Sequence, residues 1–100
     1  MERGGCVYIM ANQRNGTLYV SVTSHLVKRV YEHQNNKFSN SYTAKYGCIK
    51  LVWYCYFDRI EEAIAQEKRI KGGSRLMKLR LIEEINPQWN DLWNEIKEWM

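Results

Sequence analysis

The chain has 100 residues, of which 45% are hydrophobic and 13% aromatic, enough for one domain with one core. Its net charge is +4 with a pI near 9.0, which permits an anionic partner without demanding one. No window approaches the roughly 20 apolar residues of a membrane span. The opening residues "MERGGC" lead into no long apolar stretch, so neither a signal peptide nor a membrane partner is expected.

Charge is spread unevenly. Residues 1–50 hold seven Lys or Arg against two acids, and residues 51–100 hold eight against nine. One local run, Lys68, Arg69, Lys71, Arg75, Lys78 and Arg80, contains no acid. Such a block suits phosphates. It equally suits the solvated face of a helix, the commoner fate. The three cysteines, Cys6, Cys48 and Cys55, form no CxxC pair and give no zinc signature. Each lies in an apolar run, so buried reduced thiols in the cytoplasm are expected.

In chain order, Val7 to Ala11 and Thr17 to Val22 read as two strands joined across Gln13-Arg14-Asn15-Gly16. Each arm carries a tyrosine, Tyr8 and Tyr19, and two such side chains can stand on one face of a hairpin. They can be core packing, or two hydroxyls aimed at one substrate. Ser24 is placed to cap a helix from His25 to Asn35, with Leu26 and Val30 as its apolar stripe. Residues 36–47, "NKFSNSYTAKYG", read as a loop, and residues 49–57, "IKLVWYCYF", as a third strand in the centre of the sheet. Asp58 is placed to cap a second helix, Ile60 to Lys71, which Gly72-Gly73 ends. Ser74 is placed to cap a third, Arg75 to Ile85, with Leu76, Leu79, Ile82 and Ile85 spaced by three; Asn86-Pro87 stops it. A short closing helix follows within Trp89 to Met100. The expected order is β-β-α-β-α-α-α, an α+β domain over residues 1–100 with no internal repeat and no linker.

Several polar residues sit in awkward places. Ile60, Ala63, Ile64 and Ile70 mark the buried stripe of the second helix, and Glu67 falls on that same face. An unpaired buried carboxylate costs several kcal/mol, so Glu67 wants a metal, an arginine or a wet cleft. Pairing with Lys71 at i+4 is the plainer alternative. Arg29 and His33, four apart, share a face beside the Leu26/Val30 stripe. Together they can reach one phosphate, the Arg as a bidentate clamp and the His as a proton acceptor; an exposed Arg and an edge-packed His are the commoner outcome. His25 reads as surface. Two tyrosines, an arginine, a histidine and a glutamate are the parts that phosphodiester cleavage needs: a metal-holding carboxylate, a cation for the transition state and a base for water.

These motifs resemble the GIY-YIG endonuclease superfamily, and in particular its small stand-alone bacterial members. Cys6-Val7-Tyr8 stands where that family has Gly-Ile-Tyr, and Tyr19-Val20-Ser21 where it has Tyr-Ile-Gly. "VTSHLVKRVYEH" resembles the helix bearing an Arg and a His four residues on; "KYGCIKLVWYCYF" resembles the third strand. "EEAIAQEKRIKGGSR" resembles the glutamate helix, and "LIEEINPQWNDLW" the C-terminal part. The resemblance implies a three-stranded antiparallel sheet flanked by helices. It implies that Glu67 holds one Mg2+ or Mn2+, Arg29 clamps the scissile phosphate, Tyr8 and Tyr19 act at the nucleophile, and His33 is an auxiliary base. Two positions depart from the motifs. Cys6 is a mild change. Ser21 replaces a glycine, a residue that in a strand often marks close approach by a ligand or another backbone.

The function this implies is a divalent-metal-dependent DNA endonuclease, in repair or in processing structured or single-stranded DNA. With no separate DNA-binding domain, affinity would rest on Lys28, Arg29, Lys68, Arg69, Lys71 and Arg75, with targeting from a partner protein or a homodimer. The alternatives are a nucleic-acid-binding module of the same fold that cleaves little, and a structural domain whose Trp89, Trp93 and Trp99 dock a partner.

Overall fold

The structure, a computed structural model, describes residues 4–35 and 45–99. Three strands, β1 (Gly5–Ala11), β2 (Leu18–Thr23) and β3 (Lys50–Phe57), form one antiparallel sheet in the order β2-β1-β3. Helix α1 (Leu26–Gln34) follows β2. Helices α2 (Ile60–Lys71), α3 (Arg75–Ile85) and α4 (Trp93–Ile96) follow β3, and a 3-10 turn spans Lys97–Trp99. The order is the one the sequence implies, and the fold is α+β. The loop expected at 36–47 lies outside the described residues over 36–44, as does Met100; its described end is not loop, since Lys45 and Tyr46 are helical and Gly47 turns the chain with a positive φ of 67°.

The central strand is β1, buried along its whole length, and not β3 as its apolar run implies. The reason is that helices cover both faces of the sheet. Under that condition an edge strand also reads as a continuous apolar segment. Val7, Ile9 and Ala11 face a layer with Val20, Ala63, Ile70, Ile82 and Trp89. Cys6, Tyr8 and Met10 face the other layer, with Leu26, Val30, Leu92 and Ile96. A bulge in the β1–β3 pairing opposes Ile9 to Trp53 but Met10 to Leu51. Val52 is the extra residue. It lets Val52 and Trp53 both enter the first layer while Leu51 and Tyr54 serve the second.

Helix ends explain the remaining boundaries. Ser74 caps α3 as expected, its Oγ accepting from Met77 N at 3.1 Å. Ser24 and Asp58 do not cap. The N-cap positions fall on His25 and Arg59, neither with a side-chain cap bond. Thr23 Oγ1 takes the His25 N–H at 2.9 Å instead. Glu61 and Glu62 lie in the first turn of α2, where negative charge is favoured by the helix dipole. Three expected core positions turn outward. Ile64 is 38% exposed on α2, and Leu76 and Ile85 are 55% and 58% exposed on α3, where a spacing of three drifts off the face of a helix with 3.6 residues per turn.

The tail is tied to β3 by polar side chains. Buried Asn86 donates to Val52 O at 3.1 Å, and Asp91 Oδ1 accepts from Leu51 N at 3.2 Å. The tryptophans form no single patch: Trp89 is buried in the core, whereas Trp99 is exposed beside the Tyr54 and Tyr56 rings. Cys6, Cys48 and Cys55 are free thiols, the first two buried. No helix among the described residues is long and apolar enough to cross a membrane.

Candidate active site

The hairpin register builds one side of the site. Tyr8 pairs with Ser21 and Met10 with Tyr19, so Tyr8, Tyr19 and Ser21 project from the same face. Their rings are 6.5 Å apart, centroid to centroid, in an edge-on arrangement. The other side is α1. Burying Leu26 and Val30 against this face also carries His33 inward, and it is 4% exposed. Tyr8 Oη and His33 Nε2 are 3.0 Å apart, and the His33 ring lies 5.9 Å from Tyr8 and 5.5 Å from Tyr19. Arg29, one turn back on the same helix, and Ser21, the ladder partner of Tyr8, both favour ionisation of the Tyr8 phenol.

The electrostatics follow from this packing. Burial chiefly, then the neighbouring Tyr19, push the Tyr8 phenol up to about 12, against the pull of Ser21 and Arg29. Burial chiefly, then the Arg29 guanidinium, push His33 down to about 4, against Glu32. At neutral pH the phenol is therefore protonated and the imidazole neutral. With Nδ1–H as the tautomer, the phenol O–H donates to Nε2; with Nε2–H, the imidazole donates to the phenol oxygen.

Glu67 stands apart from this cluster, on the helix of the opposite layer. Its carboxylate meets Lys71 Nζ at 2.9 Å, with the glutamate side chain only 12% exposed. The run of α2 shows where it lies along the sheet. Ile60, the first residue of α2, lines a surface cleft with Val22 and Thr23 at the end of β2. Beyond the other end of α2, Arg75 Nη2 donates to Asn15 O and Gly16 O, both at 2.7 Å, in the turn before β2. Helix and strand thus run side by side in opposite directions. A rise of about 10 Å from Ile60 brings Glu67 level with the middle of β2, near Tyr19. Because β2 is an edge strand, the two layers meet along its open side.

The structure therefore gathers Tyr8, Tyr19, Arg29 and His33 directly and sets Glu67 on the element flanking them. Lys28 is exposed on α1 and shares with Arg29 the cleft of about 510 Å³ that Ile60 closes. His25, read as surface, is exposed but also lines that cleft. Lys68, Arg69 and Lys71 are exposed near the end of α2. Arg75 is engaged by the hairpin turn, and Lys78 Nζ by Gly73 O at 2.8 Å, so part of the basic run works as a structural clamp. The contribution that motif spacing does not announce is that of Ser21, which stands opposite Tyr8 in the ladder and favours ionisation of its phenol.

Among the described residues, no three His, Cys, Asp or Glu side chains cluster as a ready-made cation cage. A zinc-type centre does not fit. A single carboxylate does fit a hard cation such as Mg2+, which usually keeps several waters and takes its other ligands from substrate phosphate.

Residues 4–80 match the family model of the GIY-YIG catalytic domain. The chain is 36% identical over 72 residues to a UPF0213 protein of Syntrophus aciditrophicus, covering 72% of this chain and 82% of the relative. It is 38% identical over 76 residues to a UPF0213 protein of Clostridium perfringens, covering 76% and 80%. It is 34% identical over 83 residues to a UPF0213 protein of Oceanobacillus iheyensis, covering 83% and 94%. No solved structure gives a significant match. With that family model spanning most of its length, including both tyrosine motifs and the glutamate helix, the chain belongs to the GIY-YIG family, an endonuclease superfamily.

Proposed function

We propose that this chain is a divalent-metal-dependent DNA endonuclease that hydrolyses phosphodiester bonds. The observation that carries the reading is the buried Tyr8–His33 hydrogen bond, with Arg29 on the same phenol and Tyr19 against the same imidazole. A core tyrosine needs one partner for its hydroxyl. Here a histidine takes that role, and an arginine on the same helix adds its charge to the phenol's surroundings.

The roles follow from the geometry. Arg29 binds a non-bridging phosphate oxygen and offsets charge as the pentacoordinate transition state forms. Tyr8 orients the attacking water and takes its proton while passing its own to His33 Nε2. His33, held near 4, is a poor proton acceptor in the free protein. A phosphodiester seated on Arg29 offsets the positive charge that helps to keep the imidazole neutral, and so raises its proton affinity when substrate is bound. Tyr19 closes the other side of this relay. Glu67 would hold the Mg2+ or Mn2+, which when bound neutralises phosphate charge and steadies the leaving oxygen. Lys71 must first yield that carboxylate. This contact favours a second reading, a nucleic-acid-binding module with little cleavage.

Lys28, Lys68, Arg69 and Lys71 would contact flanking phosphates. Such contacts carry no sequence information, so selection of structured or single-stranded DNA in repair would fall to DNA shape or to a targeting partner. The test is incubation of wild type and Glu67→Ala with labelled single-stranded, nicked and branched DNA, with and without Mg2+ or Mn2+. Cleavage that requires both metal and Glu67 is expected. Binding without cleavage by wild type on every substrate would replace this reading with the second.

A further inference from the structure

The carboxylate that the proposed metal needs already has a cation on it. Lys71 Nζ lies 2.9 Å from Glu67 Oε2, across one turn of α2. The two side chains are unequal partners. That of Glu67 is 12% exposed and that of Lys71 is 53% exposed, so the carboxylate is largely enclosed while the ammonium reaches it from solvent. We propose that Lys71 is an autoinhibitory stand-in for the metal: its ammonium keeps the divalent ion off Glu67 until a nucleic-acid phosphate takes it. The proposal rests on the reading in which Glu67 holds the metal. It adds that metal and nucleic acid load the site together.

Like charges at short range repel, and a partly buried pair is screened less than an exposed one. A divalent ion on the second oxygen of Glu67 would stand beside the ammonium, so the two cations compete for one carboxylate. Either neutralises it, but only a metal with open coordination positions also takes a phosphate oxygen. The lysine can leave at little cost. It is the last residue of α2, where the helix dipole favours positive charge without any carboxylate. Its backbone stays in place when the side chain swings, because Lys78 Nζ donates to Lys71 O at 3.4 Å and to Gly73 O at 2.8 Å. A flexible four-carbon stem with rotatable donors suits a point contact that changes partner. Lys68 and Arg69 stand in the same last turn, so a phosphate drawn to that end of the helix meets Lys71 as well. A phosphate on Lys71 then frees Glu67, and a metal on Glu67 frees Lys71. By linkage, each ligand tightens the other by the same factor.

The first measurement is a Mn2+ titration of the 15N-labelled chain without nucleic acid. It reads the paramagnetic broadening of amide signals around Glu67 that Glu67→Gln abolishes, and unfolding midpoints check that each variant folds. Half-broadening is expected at about fivefold lower Mn2+ in Lys71→Ala than in wild type, the low end of coupling between linked sites. Lys71→Arg, which keeps the cation, should behave as wild type. So should Lys68→Ala, which removes an equal charge one residue from Glu67. The second measurement adds oligothymidylate in EDTA and follows the Glu67 carboxyl carbon in 13C-labelled protein, assigned with Glu67→Gln. Saturating oligonucleotide should move this signal in wild type towards its position in Lys71→Ala. Equal Mn2+ affinity in wild type and Lys71→Ala overturns the proposal, as does an equal gain in Lys68→Ala, which would assign the effect to net charge. A carboxyl carbon unmoved by bound oligonucleotide also overturns it. Absence of Glu67-dependent broadening in every protein overturns the metal reading itself, and the proposal with it. Neither readout depends on cleavage, so a negative nuclease assay beside two positive results would overturn the catalytic reading and leave the Lys71 switch standing.

Discussion

His33 is a histidine that folding keeps neutral. Its unfolded value is near 6.5 and its folded value about 4, lowered first by burial and then by Arg29. Between those values the unfolded chain binds more protons than the folded one, so stability rises with pH across this window. The contribution is fully present above about pH 6.5 and is lost as pH falls towards 4. Chemical denaturation at pH 7.0 and 4.5 should show a loss on the order of 2 kcal/mol at the lower pH. In His33→Gln that pH-dependent increment should shrink, because glutamine can still accept from Tyr8 but cannot titrate. An equal loss in both proteins would place the acid sensitivity elsewhere. Tyr8 acts at the other end of the scale. Its folded value is raised to about 12, so its contribution is present below pH 10 and fades above it. At this scale the sequence was readable where parity decides. Tyr8 and Tyr19 share a face because their ladder partners lie two positions apart, and Arg29 and His33 share a face because they lie four apart. That the imidazole meets Tyr8 was not readable, since it depends on how α1 docks on β1, which no local spacing encodes.

Gly5 shows how closely the elements approach one another. A Cβ there would stand 2.5 Å from Ile60 Cδ1 and 2.9 Å from Ala63 Cβ. The isoleucine tip can move, but the alanine carbon cannot without shifting α2. Gly5→Ala should therefore cost about 1–3 kcal/mol, read as a lower urea midpoint at unchanged slope. It should also reduce cleavage, because a displaced α2 carries Glu67 with it. Full activity in a destabilised Gly5→Ala would mean that Glu67 tolerates the shift and that its placement is less demanding than proposed. The helix bounds of α2 and α3 were legible because strong local signals, Gly72-Gly73 and the Ser74 cap, coincide with the ends of apolar patterns. The place of β3 was not. Its run "LVWYC" reads as a central strand because Leu51, Val52 and Trp53 are all buried, yet the bulge splits them between two layers at an edge.

For the whole molecule, the question is which cations remain to meet DNA. Net charge alone suggests a broad basic surface, but Arg75 holds the Asn15 and Gly16 carbonyls and Lys78 holds that of Gly73. Those two join the hairpin, α2 and α3. Lys28, Lys68 and Arg69 are exposed, on the helices that flank β2. Each phosphate neutralised changes the logarithmic salt slope by about 0.7 for a single strand and 0.9 for a duplex. Lys68→Ala with Arg69→Ala should therefore flatten the slope of DNA affinity by roughly 1.5–2 while leaving the unfolding midpoint nearly unchanged. Arg75→Ala should do the reverse, lowering the midpoint through loss of two carbonyl contacts while changing the slope little. Salt titrations of binding to a single-stranded and a duplex oligonucleotide, beside thermal melts of both variants, would separate the two groups. If Arg75→Ala flattened the slope as strongly as the double variant, the guanidinium would be reaching phosphate as well as the turn. The DNA track would then run the full length of β2, from the Lys28 cleft to the hairpin.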